Sequence, residues 1–507
     1  MINGKEIALL GGSRSSRLSG GHSGLRVMGF VMGFVLGALL LALTGCRDER
    51  ISDDPTLRLV FSKDTVCFDT IFTSTDGNEP SATKQVMLYN PNKEAVLIDR
   101  VWMNNGQWFK VNVDGEANLS QLKDLQINGG DSIYIFVHVG IDEQHQAQTV
   151  WVTDSLHFLL ANGNTSTLAM EAYGQDVIRI RTQNMRSDYA NYHFLNDKPY
   201  LIYDTMVVTG DLTMDKGARL YMHKGAGLYA LGDVMAKGEL DEPIVLCGDR
   251  LDNLFDSVPY RYAAGAWNGF YLQATQPQTY ELNYVDILSG NIGLFCSSEC
   301  QGTLPKLTMN GCRIHNHAQY GLVLFHVDAE VVNSEISNCA SYCVYTQGGA
   351  HTFTHSTIAS YFGYTNIRIQ NTGKEDVAAV CIYAADSVMN TTTSFYNSII
   401  TGYRSDELSI KIDTTATKYA GMFAGNYLKT DSTVQTIFPD NRYYEKTDTA
   451  MFVNNFYKYK EYIYYDFHLD SVSPARGIGD KEKATPKDRD GIERQDVIDA
   501  GCYQYRL

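Results

Sequence analysis

Met309-Asn-Gly-Cys-Arg-Ile-His-Asn-His317, Val331-Val-Asn-Ser-Glu-Ile-Ser-Asn-Cys339, Phe353-Thr-His-Ser-Thr-Ile-Ala-Ser-Tyr361 and Phe395-Tyr-Asn-Ser-Ile-Ile-Thr-Gly-Tyr403 align without a gap. Their central residues Ile314, Ile336, Ile358 and Ile400 are 22, 22 and 42 residues apart, the last step being close to two periods. Leu282-Asn-Tyr-Val-Asp-Ile287 extends the column upstream, and a second short apolar strand follows each anchor at a near-constant distance. A unit of this length cannot close a sandwich. It suits one coil of a parallel β-helix, whose short strands pair with the coils above and below at about 4.8 Å. Isoleucine then stacks on isoleucine in the interior, and Asn316 and Asn338 fall where the chain bends, because Asn tolerates a left-handed backbone. A leucine-rich repeat has a similar period, but its L-x-x-L-x-L consensus is missing.

The same texture begins near Met206, where strands of three to five residues are separated by Gly, Asp or Lys at short distances. Upstream, from 56 to 177, the pattern is longer period-two strands such as Gln85–Tyr89, Ser132–Val139 and Leu156–Leu160, separated by turn signals such as Asn90-Pro-Asn92 and Asn128-Gly-Gly130. That alternation predicts a β-sandwich. Residues 178–204 mix Asn, Asp and Tyr without a clear period and read as a linker. The expected class is therefore all-β: an N-terminal Ig-like β-sandwich over 56–177, a linker over 178–204, and a right-handed parallel β-helix over 205–507.

Several stretches carry resemblances. Phe68-Asp-Thr-Ile-Phe-Thr73, Tyr89-Asn-Pro-Asn92 and Gly129-Gly-Asp-Ser132 resemble Ig-like modules beside the anchor of surface proteins. Ala236-Lys-Gly238, Glu242-Pro-Ile-Val245 and Gly265-Ala-Trp-Asn-Gly269 resemble the opening coils of right-handed β-helix, pectate-lyase-like surface proteins. Asp488-Arg-Asp-Gly-Ile-Glu-Arg494 and Asp499-Ala-Gly-Cys-Tyr-Gln-Tyr505 resemble their closing segment, with Gln504 where those proteins mostly have Glu. The resemblance implies an architecture and leaves activity open, since one fold hosts many functions.

At the other end, the apolar run Val27–Leu43 follows Arg14, Arg17 and Arg26, the charged-then-apolar order of a signal peptide. Its ending, Leu43-Thr44-Gly45-Cys46, resembles the lipobox of bacterial lipoproteins. Residues 1–45 are accordingly expected to be cleaved, Cys46 to carry the lipid, and 46–55 to form a tether. The acidic residues of Arg47-Asp48-Glu49-Arg50 resemble the surface-export signals of Bacteroidetes lipoproteins, which implies an outer-membrane anchor facing the exterior.

The net charge of −16 repels polyanions and argues against nucleic acid as a partner. Nine cysteines besides Cys46 form no even framework, and Cys312 and Cys343 occupy positions that other repeats fill with Ser or Gly, so they read as small core residues. No metal site is expected. Asp488-Arg-Asp-Gly491 begins like a calcium loop but lacks the later acidic positions, and reads as a turn closing the last coil.

A β-helix enzyme cutting polysaccharides needs a basic residue beside a uronate or paired carboxylates on an outer face. The outward positions flanking the anchors are Arg313 and His315, Glu335 and Ser337, Thr357 and Ala359, and Ile399 and Thr401. Only the first pair of coils is charged, so Arg313, His315 and Glu335 are the catalytic candidates. The competing reading is an exposed ion pair worth about 0–1 kcal/mol with a bystander histidine. His317, His326, His351 and His355 read as surface imidazoles, and the abundant tyrosines as edge cover or as platforms for sugar rings. The favoured function is a non-enzymatic surface lipoprotein for binding, adhesion or envelope structure, its partners being the membrane and a glycan or surface protein. A polysaccharide lyase or glycoside hydrolase on the same scaffold is the alternative.

Overall fold

The computed structural model describes residues 50–74, 83–181, 186–255, 258–362, 377–384, 389–412, 420–430, 432–448, 450–454 and 465–506. Cys46 and the signal sequence, the interruption between Gly363 and Asp376, and most of the tyrosine run 457–465 lie outside these.

The N-terminal unit is a two-sheet β-sandwich. One sheet orders Val60–Phe61, Lys84–Tyr89, Ser132–Val139 and Phe109–Val113, all antiparallel. The other orders Thr65–Phe72, Thr165–Gln175, Val150–Leu160, Val96–Met103 and Leu125–Ile127. Alternating residues of both sheets, among them Leu88, Ile98, Ile135 and Phe158, point inward and form one buried core. Period-two patterning drives this, since each strand has one face to bury and one to leave wet.

The larger unit is a parallel β-helix with sheets of eleven, nine and nine strands. Ile287, Ile314, Ile336, Ile358 and Ile400 are successive register partners in the eleven-stranded sheet, followed by Leu428, and none is exposed. A second interior column stacks Phe353 on Phe395 at 4.7 Å and Phe395 on Phe423 at 5.2 Å between ring centroids. The bends repeat as faithfully. Asn316 and Asn338 have φ of 58° and 53°, and Gly311, Asn333, His355, Asn397 and Gly425 form a second left-handed column on the other side of the strand. Polar side chains close the turns between coils: Ser334 Oγ accepts from the Cys312 N–H, Ser398 Oγ from Ser356, and Asn426 Oδ1 from Ser398, at 3.2, 3.0 and 2.7 Å. Cys312 fills a Ser position in this ladder. No disulfide joins any two of the nine described cysteines, and all but Cys67 are buried.

Two expectations change. Residues 178–204 are no linker. Ile178–Ile180, Tyr192–Phe194 and Tyr200–Ile202 pair in parallel with the next coil, so the solenoid starts at Ile178, three residues after the last sandwich strand. Strands of three residues show no period of their own, and only stacking on distant residues defines them. Nor does the C-terminal segment merely close the last coil. After the antiparallel pair Phe452–Asn454 and Asp466–Leu469, it folds back over the outer face of the eleven-stranded sheet.

Ile336→Asp would place a carboxylate between Ile314 and Ile358 in a dry stack. The expected cost is on the order of several kcal/mol, because the charge must be desolvated or neutralised. A urea-unfolding midpoint equal to the parent's would show that this register is wrong.

Candidate functional site

Arg313 and Glu335 are register partners on adjacent coils, and His315 faces Ser337, as the repeat alignment requires. Arg313 is partly solvated, but the side chains of the other two candidates are not exposed. His315 and Glu335 are 4% and 5% exposed, because the returning C-terminal segment covers them. The return is pinned coil by coil: the Gly501 N–H donates to the Asn397 carbonyl at 2.7 Å, the Cys502 N–H to Thr357 Oγ1 at 3.0 Å, and the Tyr503 hydroxyl to Glu335 Oε2 at 2.8 Å. Apolar residues seal it, with outward Ala359, Ile399 and Tyr427 meeting Phe452, Phe467 and Ala500.

The expected ion pair is replaced by another. Arg313 bonds Asp286 one coil up, and Arg489 of the return bonds the other oxygen of Asp286 at 3.0 Å. One carboxylate therefore joins a coil to the segment lying over it. Glu335 takes Ser337 and Tyr503 as partners, with His315 Nδ1 at 3.7 Å from Oε1.

The hydrogen bonds around His315 fix its tautomer. Ser337 Oγ donates to Glu335 Oε1 at 2.8 Å and thus accepts from His315 Nδ1 at 2.6 Å. Nε2 carries the lone pair and has no hydrogen-bond partner among the described residues, inside a wall formed by Tyr262, Tyr465 and Phe467. In a nucleophilic serine site the imidazole accepts the serine proton, whereas here it donates to the serine. Burial, aided by the Arg313 charge, holds the His315 pKa well below its ordinary value, and burial beside Glu335 pushes the Tyr503 phenol well above its own. A base that is neutral, walled off and directed away from solvent has no route to a substrate proton. The arrangement is chemically suited to locking the return segment in place.

The other histidines also differ from expectation, since His317, His351 and His355 are buried. His317 bonds the Ile287 carbonyl at 3.0 Å, His351 bonds Thr393 Oγ1 at 2.9 Å, and His355 lies between the Gly501 carbonyl and Asn397. His326, only partly covered, stacks on Phe325. The Asp488–Gly491 turn spends its oxygens on protein donors. Asp488 accepts from the Ile492 and Gln504 N–H groups at 2.7 and 2.8 Å, and Asp490 pairs with His468 and Arg506. Tyr503, one of the tyrosines read as edge cover or as platforms for sugar rings, is buried. Sequence reasoning missed Asp286, Arg489 and Tyr503. The available signal was the apolar character of Ala359 and Ile399 at outward positions, which marks a covered face.

Asp286→Ala should cost about 3–5 kcal/mol, because it strands two guanidinium groups. Arg313→Ala should cost less, about 1–3 kcal/mol, since Arg489 still holds the carboxylate and Arg313 is partly solvated. Equal and negligible shifts in urea-unfolding free energy would show that the lock is absent.

Burial lowers His317 and His351 to about 4, against about 6.5 when unfolded. The unfolded chain thus binds protons first, and stability should drop as pH falls from about 6.5 toward 4, by on the order of 3 kcal/mol for each group. His468 is opposite in sign. Hydrogen bonds to Asp466 and Asp490 raise it to about 9, so its contribution is complete below about 6.5 and fades as pH rises through 9. Unfolding free energy measured across this range should peak near neutrality, and a flat acid limb would contradict the burial of these imidazoles.

Fold and site together define a parallel β-helix protein, preceded by a β-sandwich, whose charged outer cluster is sealed beneath its own C-terminal return. No protein-family model matches the chain, and no curated protein matches it. Among solved structures, it is similar over 24% of its length to 30% of a family 123 glycoside hydrolase from Clostridium perfringens, described for glycolipid glycan hydrolysis, at 8% identity and a TM-score of 0.18. A likeness of that size transfers neither fold nor activity.

Proposed function

We propose that this chain is a lipid-anchored surface protein of a bacterial envelope, of the Bacteroidetes type, in which the sandwich spaces the β-helix from the membrane for glycan binding, adhesion or envelope structure without cleaving glycans. The burial of His315 and Glu335 beneath Tyr465, Phe467 and Tyr503 carries the non-cleaving part of this reading, because it removes the cluster's imidazole and carboxylate from any substrate. The order of parts agrees with it. The lipobox-like Leu43–Cys46 comes first along the chain, the sandwich follows from Val60, and the solenoid lies beyond from Ile178. No helix among the described residues is long and apolar enough to cross a membrane. Asp48 and Glu49 behind that cysteine support the outward-facing location at the outer membrane.

Residues 47–507, incubated with a panel of acidic and neutral glycans, should release no reducing or unsaturated ends. Cleavage would overturn the non-enzymatic reading in favour of a lyase or hydrolase, with its groove away from Arg313, His315 and Glu335. Growth with labelled palmitate should label the parent and leave Cys46→Ala unlabelled, and a labelled variant would end the anchor assignment.

A further inference from the structure

The outer face of the five-stranded sandwich sheet follows from its period-two patterning. Trp151-Val-Thr-Asp-Ser-Leu-His157 and Thr165-Ser-Thr-Leu-Ala-Met-Glu-Ala-Tyr173 alternate, and every second residue of each points away from the core. Register sets Trp151 beside Tyr173, Thr153 beside Glu171, Ser155 beside Ala169 and His157 beside Thr167. The rows continue to Thr65 beside Ala169 and to Trp102 beside His157. Aromatic rings therefore stand at two ends, about 20 Å apart along the strand. Between them the floor carries small side chains and the carboxylate of Glu171.

The two ends differ in what their rings have left to offer. Trp102 stacks on His157 at 5.0 Å between ring centroids, and the Arg100 guanidinium lies 4.5 Å from its centre, so this ring is already engaged. On the solenoid, Tyr229 and Tyr271 likewise face each other at 4.4 Å. Trp151 and Tyr173 make no ring contact among the described residues, and Trp151 is 60% exposed. Its indole is nevertheless held, since Nε1–H donates to Glu171 Oε2 at 3.3 Å across the strand pair. One carboxylate thus sets the direction of a large ring whose apolar surface meets solvent.

The floor selects the occupant. Thr65 and Thr153 are exposed and Ser155 partly so, and their hydroxyls can donate or accept by rotating. An apolar partner would strip water from them and return no hydrogen bonds. The strands Val150–Leu160 and Thr165–Gln175 are paired on both sides, so a peptide cannot join them as a further strand. Polyanions are repelled by the net charge of −16. A pyranose ring meets all three conditions, with an apolar C–H face for the indole, a rim of hydroxyls for the floor and no charge.

We propose that this face binds a neutral, chain-like glycan of hexopyranose units, with one ring stacked on Trp151 beside Tyr173 and the chain running along the floor toward His157. The proposal rests on the glycan-binding part of the function proposed above and gives that part a place on the molecule.

Calorimetric titration of residues 47–507 with cellohexaose, laminarihexaose and mannohexaose, each against its disaccharide, and with an oligogalacturonate tests it. At least one neutral hexasaccharide should bind at one site per chain, roughly tenfold more tightly than its disaccharide and indifferently to salt. Trp151→Ala should weaken that binding roughly tenfold or more. Thr153→Arg, which raises a long side chain from the floor and leaves both aromatic ends in place, should do the same. Tyr134→Ala, removing an exposed ring of the other sheet, should change nothing. All three positions are exposed, and urea-unfolding midpoints near the parent's identify the losses as losses of binding. No neutral probe bound down to roughly millimolar affinity would overturn the proposal. An oligogalacturonate bound more tightly than every neutral probe would overturn it too, while a glycan-binding role stood. Binding that survives either Trp151→Ala or Thr153→Arg would overturn this face and move the glycan elsewhere on the chain.

Discussion

Every coil of this solenoid must present its backbone to the coils above and below in strict register, at about 4.8 Å per step. That single constraint propagates through the molecule. A residue type that satisfies one coil is surrounded by the equivalent residues of its neighbours, so Ile336 packs between Ile314 and Ile358, and Phe395 between Phe353 and Phe423. Bends must also superpose, which is why left-handed residues occur in columns and why a Ser or Asn side chain of one coil accepts from the N–H of the coil before it.

Register explains the outer face as well. A row of outward Ala, Ile and Tyr at 359, 399 and 427 is an apolar stripe, and the C-terminal return covers it with Phe452, Phe467 and Ala500. Where the stripe gives way to Asp286, Arg313, His315 and Glu335, the cover changes chemistry too. Arg489 meets Asp286, and Tyr503 meets Glu335. Buried charge is expensive unless paired, so these contacts favour one placement of the return. The charged cluster and the apolar stripe are thus two parts of one docking surface for the protein's own tail.

The repeat was legible because its signal is local and periodic: four segments of nine residues align on sight, and Asn316 and Asn338 declare their bends. The two-sheet sandwich was legible for the same reason. The first coil was not, because Tyr200–Ile202 is too short to show a period and is defined by Leu220, some twenty residues away. The catalytic candidates were located correctly as neighbours and misjudged as exposed. Alignment of outward columns reports what faces away from the interior and is silent about a segment 150 residues downstream that returns to cover it. His317, His351 and His355 were misread likewise, since a histidine bonded to a buried carbonyl or hydroxyl has the same letter as one in water.

The histidine of the charged cluster, His315, is sealed beneath the C-terminal return. Diethyl pyrocarbonate labelling of the native chain near neutral pH, with modified histidines mapped by mass spectrometry, tests it most directly. His145, whose side chain is 83% exposed, should react readily, whereas His315, neutral but only 4% exposed, should stay unmodified until the chain is denatured. Modification of His315 in the native protein at a rate comparable to His145 would contradict the sealed cluster and reopen that face to substrate.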